Sequence, residues 1–105
     1  MPVKVLDETN LEQTVNGGGV VVVEFYAPWC PHCKRMEPVY AEAADEAGGR
    51  ALLAKVDGDA KPELMERFKA EVYPTIIYFK DGAEKFRTEG EVSKDDIILK
   101  IDSIA

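Results

Sequence analysis

Two cysteines three positions apart, Cys30 and Cys33, stand at the join between an apolar run, Val20-Val21-Val22-Val23-Glu24-Phe25-Tyr26, and a segment with helical spacing. No other cysteine occurs in the chain. A redox pair needs two sulfurs close enough to bond yet unequally open to attack, and Cys-x-x-Cys across a helix start meets both conditions. Cys30 falls at the cap or first turn, where unpaired backbone N–H groups and the positive helix end favour a thiolate. Cys33 lies one turn deeper on much the same face. Pro31 suits the first helical position, because its missing N–H costs nothing there. His32 can stabilise a Cys30 thiolate by donating a hydrogen bond or, when protonated, by charge. Half of a zinc site and a purely structural disulfide are the rival readings. A four-ligand zinc site needs two further ligands, and His32 is the only other Cys or His.

The 105 residues fit one domain, 1–105, with room for a core flanked by helices. A formal charge of -7 disfavours nucleic acid and anionic membrane as partners, since both call for a positive surface. Met1 to Asp7 lacks the apolar segment of a secretion signal, and no later run reaches membrane-spanning length. The chain therefore reads as a cytoplasmic monomer, or as secretory or endoplasmic reticulum material if it is excised from a longer protein.

Along the chain, Val3 to Leu6 suggests a short strand, and Asn10-Leu11-Glu12-Gln13 has the spacing of a capping box at a short helix. Gly17-Gly18-Gly19 ends that helix; the longer phosphate-loop pattern is missing. The unbroken apolar character of Val20 to Tyr26 predicts a central parallel strand covered on both faces. Glu24 interrupts it. A carboxylate there is either an acid at the strand edge or a proton relay for the buried thiol, and the adjacent cysteines favour the relay.

From Pro31 to Ala47, Met36, Val39, Tyr40, Ala43, Ala44 and Ala47 recur at helical spacing, with Pro38 expected to bend the helix and Gly48-Gly49 to stop it. Lys34, Arg35 and Glu37 read as a solvated face near enough to influence the thiolate. Ala51 to Asp57 is a second core strand in which Lys55 either meets Glu24 across the sheet or snorkels to the rim. Pro62 to Phe68 reads as a short helix with Leu64, Met65 and Phe68 inward, and Pro74 opens the strand Ile76 to Phe79. For the Tyr73–Pro74 bond, sequence chemistry alone makes cis the minority form. Asp81-Gly82 predicts a hairpin into Ala83 to Thr88. Gly90 marks the strand exit, Ser93-Lys94-Asp95-Asp96 resembles a capping box, and Ile97, Ile98, Ile101 and Ile104 line a terminal helix.

These residues, in this order and spacing across nearly the whole chain, resemble the thioredoxin superfamily, particularly single thioredoxin-like domains of protein disulfide isomerases. The strongest matches are Phe25 to Lys34, Pro38, the Lys55 to Asp57 strand end, Tyr73-Pro74-Thr75 and the Asp81-Gly82 hairpin. The resemblance implies an α/β thioredoxin fold: a βαβ unit and a βαββα unit forming a central mixed β-sheet flanked by helices on both faces. It implies Cys30 as nucleophile, Cys33 as resolving thiol, Glu24 as buried acid/base with Lys55 as neighbour, and Pro74 as a cis-proline beside the dithiol. Trp29, Tyr26, Tyr73, Pro74 and Thr75 would border bound peptide, and Pro31 and His32 would tune the thiolate.

Two departures stand out. Pro31-His32 is the pair typical of strongly oxidising bacterial disulfide-forming proteins, where disulfide isomerases have Gly-His and thioredoxins Gly-Pro; Val92 replaces the Arg that modulates the resolving cysteine in many isomerase domains, which weakens the isomerase assignment. The expected function is thiol–disulfide exchange with protein or peptide thiols, at an intermediate to oxidising potential. An electron donor or acceptor of unknown identity completes the cycle. The internal disulfide serves as redox centre, with no other cofactor and no metal. A thioredoxin-like reductase and a noncatalytic peptide-binding or chaperone module are the alternatives.

Overall fold

The computed structural model describes residues 2–105, so Met1 of the N-terminal segment read above lies outside the described residues. Strand β2 (Val20–Tyr26) forms the middle of a five-stranded sheet, with β3 (Ala51–Asp57) and β1 (Lys4–Leu6) on one side and β4 (Thr75–Lys80) and β5 (Ala83–Glu89) on the other. Its apolar run is explained by cover on both faces, yet it is parallel only to β3 and antiparallel to β4. The centre is thus the mixed sheet expected: β4 enters antiparallel to β2, and Asp81-Gly82 turns it back into β5 at the edge. Asp81 and Gly82 both have positive φ, 50° and 84°, as a tight two-residue turn between twisted strands requires.

Alternate residues of β2 serve opposite layers, because successive strand side chains point to opposite faces. Val21, Val23 and Phe25 pack with Leu11 and Val15 of α1 (Leu11–Val15) and Leu64 and Met65 of α3 (Pro62–Arg67). Val20 and Val22 face α2 (Pro31–Ala47) and α4 (Lys94–Ile104), meeting Met36, Tyr40, Ile97 and Ile101. Glu24 shares the second parity and is thereby delivered under α2. The Tyr40 hydroxyl, also on that face, lies 3.0 Å from Val22 O and 2.8 Å from Ala54 O, tying α2 to both β2 and β3.

Helix α2 runs continuously through Pro38 to Ala47, followed by a 3-10 turn at Gly48–Arg50. Ser93 caps α4 by accepting from Asp96 N at 3.1 Å. The expected capping box at α1 is not made. Asn10 Oδ1 instead accepts from Asp7 N at 2.8 Å, closing the turn that precedes the helix. Among the described residues no helix is long and apolar enough to cross a membrane.

Candidate active site

Cys30 is the N-cap of α2, with extended backbone (φ -77°, ψ 121°), and Pro31 occupies the first turn. A Cys30 N–H to Ala27 O bond of 3.1 Å and a Lys34 N–H to Cys30 O bond of 3.0 Å fix the approach to the helix. Both thiols are reduced, and each residue is only 5% exposed. The expected contrast of one open and one covered sulfur is therefore corrected: Ala27, Tyr26 and Tyr73 pack around both cysteines. Their difference lies in desolvation of the sulfur and in the donors and charges around it. Burial pushes the Cys30 thiol up, but the backbone N–H and thiol of Cys33, the His32 N–H and the Arg35 charge outweigh it and leave Cys30 below the ordinary thiol value. Burial pushes Cys33 up to about 12, with Cys30 and the Glu24 charge adding to it.

Glu24 is 3% exposed, and its Oε2 has no hydrogen-bond partner. Burial raises its carboxyl to about 7, against the opposing pull of Lys55, with Glu37 contributing in the same direction as burial. Such a group changes protonation in the range where a thiol exchanges its proton. Glu24 and Lys55 are register partners on adjacent strands, but among the described residues no ion pair joins them. Lys55 Nζ instead stands 5.1 Å from the Tyr26 ring centroid, so the long side chain keeps its charge at the rim and stacks on an aromatic face. A cavity of about 360 Å³ behind the dithiol is lined by Glu24, Tyr26, Cys33, Glu37, Tyr40 and Lys55, giving Cys33 and Glu24 a shared space.

The His32 ring does not reach Cys30. Its Nδ1 lies 2.7 Å from Glu91 Oε2, and Arg35 Nη2 donates to the same carboxylate oxygen at 2.7 Å. His32 therefore contributes to Cys30 by a hydrogen bond, as expected, with the backbone N–H as the donor. Glu91 escapes sequence reasoning because its partners are 59 and 56 residues away. The Gly90 exit signal marks the turn and leaves its position over α2 unspecified.

On the other side of Cys30, its Sγ is 3.8 Å from the Tyr73 carbonyl, and the Tyr73–Pro74 bond is cis. Trp29 is 59% exposed and meets Tyr73 edge-on with ring centroids 5.6 Å apart. Gly58 makes room for that ring, since a Cβ there would lie 3.0 Å from Tyr73 Cε1. Val72, also exposed, extends the apolar rim. Thr75 does not contribute its side chain to this surface: it is fully buried and its hydroxyl donates to Val72 O at 2.7 Å. Tyr26 lines the rear cavity rather than the Trp29–Tyr73 pair. Among the described residues no cluster of three or more His, Cys, Asp or Glu side chains is placed to hold a metal ion.

The Thioredoxin family model matches residues 2–103. The chain belongs to the thioredoxin family. Protein disulfide-isomerase 1 of Caenorhabditis elegans is 48% identical over 94 residues, covering 87% of this chain and 19% of that protein. Protein disulfide isomerase-like 1-3 of Arabidopsis thaliana is 40% identical over 96 residues, covering 91% of this chain and 17% of the relative. The thioredoxin-family chain thus spans about one fifth of the length of these curated relatives. Among solved structures, a mutant thioredoxin from Halobacterium salinarum NRC-1 superposes with a TM-score of 0.88 at 30% identity, covering 98% of this chain and 89% of that one.

Within this thioredoxin-family domain, the fold gathers Cys30, Cys33, Pro31, Trp29, Tyr73 and Pro74 at one end of β2 and α2, with Glu24 beneath. Val92 stands where the resemblance calls for Arg; its backbone N–H points to Met36 Sδ at 3.4 Å, which fastens the segment after β5 to α2.

Proposed function

We propose that this thioredoxin-family domain is a thiol–disulfide oxidoreductase acting on protein or peptide thiols. The observation that carries this reading is the geometry of two neighbouring thiols at the start of α2: Cys30 at the N-cap beside the cis Tyr73–Pro74 bond, and Cys33 one turn in, sharing a cavity with buried Glu24. Their surroundings displace Cys30 below and Cys33 above the ordinary thiol value. The thiolate is the nucleophile, so that displacement makes Cys30 the attacking sulfur and holds Cys33 in reserve.

In the reducing direction, the Cys30 thiolate attacks a substrate disulfide, forming a Cys30–substrate bond and releasing one substrate thiolate. Cys33 then loses its proton to Glu24, directly or through water in the rear cavity, and attacks Cys30 Sγ. The Cys30–Cys33 disulfide forms, the second substrate thiolate leaves, and two electrons have passed to the substrate. Oxidation runs these steps backwards. A substrate thiolate attacks Cys30 of the disulfide, Cys33 leaves and takes the proton from Glu24, and a second substrate thiol resolves the mixed disulfide. Trp29 and Tyr73 supply an apolar rim for the peptide beside the reacting sulfur. Stabilisation of the Cys30 thiolate favours the dithiol state, which supports an intermediate to oxidising potential.

Turnover of a peptide disulfide or dithiol in a glutathione buffer tests the assignment. Cys30→Ser should abolish exchange, and Cys33→Ser should accumulate a covalent mixed disulfide through Cys30. A wild type without turnover, whose peptide binding survives Cys30→Ser unchanged, would instead leave a peptide-binding module whose cysteines are bystanders.

A further inference from the structure

The turn after β5 lays a carboxylate across the first turn of α2. Arg35 Nε lies 3.1 Å from both Glu91 oxygens, while Arg35 Nη2 and His32 Nδ1 each stand 2.7 Å from Glu91 Oε2. Arg35 Nη2 is also 2.9 Å from His32 Nδ1. A guanidinium has only donors, so this crowded trio is consistent when Arg35 and His32 share the carboxylate and His32 Nδ1 carries a hydrogen directed to Glu91. The carboxylate is firmly placed: Gly90 N–H donates to Pro74 O at 2.9 Å, and Val92 N–H points to Met36 Sδ at 3.4 Å.

The side-chain donors of His32 and Arg35 are thus both turned onto one acid. The Sγ atom itself contacts the Tyr73 carbonyl, and the other titratable groups packed about it are Cys33 and Tyr73.

We propose that Glu91 is a positioning residue that keeps the side-chain donors of His32 and Arg35 from bonding the Cys30 thiolate, leaving only the distant Arg35 charge to act on it and making the domain a weaker oxidant than it would be with those donors released. This inference rests on the disulfide-exchange reading above. The hydrogen bonds of Arg35 and His32 hold the Glu91 carboxyl down at about 2, so the restraint stays charged throughout the working range. Releasing the two side chains lets their N–H groups bond the thiolate, which stabilises the dithiol form and strengthens the disulfide as an oxidant.

The test compares wild type, Glu91→Gln and Glu91→Asp by two readouts: the pH profile of Cys30 alkylation by iodoacetamide and the redox equilibrium with glutathione. Glu91→Gln is expected to lower the proton affinity of Cys30 and shift the glutathione equilibrium about fivefold toward the dithiol, roughly 20 mV for two electrons. Glu91→Asp should recover part of the wild-type value. In a His32→Ala/Arg35→Met background, Glu91→Gln should shift neither readout by more than about twofold, because nothing is left to release.

No shift in Glu91→Gln, or a shift toward a weaker oxidant, overturns the restraint. A full fivefold shift persisting in the double variant also overturns it, by assigning the effect to direct repulsion between carboxylate and thiolate. A wild type inert toward glutathione and peptide disulfides would sink the exchange reading alone, since the alkylation profile still decides the placement of the two side chains.

Discussion

The two sides of the dithiol differ more in chemistry than in cover. Cys30 faces the helix-start N–H groups and an outer cluster of His32, Arg35 and Glu91, whereas Cys33 faces inward to Glu24, Tyr40 and the rear cavity. Whole-residue exposure is the same 5% at both, so the difference lies in how deeply each sulfur is set among protein atoms and in the donors and charges around it. One turn of helix suffices to separate a thiol whose anion is stabilised from one whose anion is penalised. Sulfur reactivity here is set by burial together with the dipoles and charges within a few ångströms.

The largest effect that sharpens this contrast is expected at the outer sulfur. Cys30→Ser should reduce peptide-disulfide turnover by at least about a thousandfold, measured as initial rate, because hydroxyl does not replace thiolate as a nucleophile. Cys33→Ser should lose turnover while retaining the first chemical step, seen as an isolable mixed disulfide.

On the inner side, Glu24→Gln should slow resolution of the mixed disulfide about a hundredfold near pH 7, read by quenched-flow trapping. It should also stabilise the fold. Burial holds Glu24 protonated up to about 7. Between its ordinary value and that point the unfolded chain releases the proton while the folded chain keeps it, so wild-type stability falls as pH rises. Denaturant titrations should therefore show Glu24→Gln more stable by up to roughly 3 kcal/mol at pH 8, the gain vanishing near pH 4. A variant less stable than wild type at pH 8 would mean that Glu24 is favourably paired in its ionised form.

Smaller effects belong to the rim. Trp29→Ala should raise KM for peptide substrates about threefold to tenfold while leaving exchange with glutathione near its wild-type rate, since only the larger substrate needs the apolar surface. Arg35→Met should raise the proton affinity of Cys30 about twofold, an effect that shrinks at high salt because Arg35 is exposed.

Local patterns in the sequence carry most of the fold and the centre of the site. The helical spacing from Met36 to Ala47 and the Pro31 start give α2 its observed bounds, and the apolar run from Ala51 to Asp57 gives β3. Asp81-Gly82 is legible because a positive φ at both positions is a local demand met by few residue pairs. Asn10 misleads because its side chain has two local uses, and closing the Asp7 turn prevails over capping α1. Strand register does set Lys55 beside Glu24, but register says nothing about a four-carbon side chain bending away to Tyr26. A helix cap is usually a surface position, which makes an open Cys30 the natural expectation; packing of Tyr73 and Tyr26 against the pair overrides it. Glu91 leaves no local signal at all, since its place depends on how β5 ends over α2.

The central claim is the unequal proton affinity of two cysteines of equal whole-residue exposure, and an NMR titration of the cysteine Cβ carbons in the reduced protein tests it directly. Cys30 should ionise below the ordinary thiol value while Cys33 stays a thiol until about pH 12. A common midpoint for both, or ionisation of Cys33 first, would contradict the account.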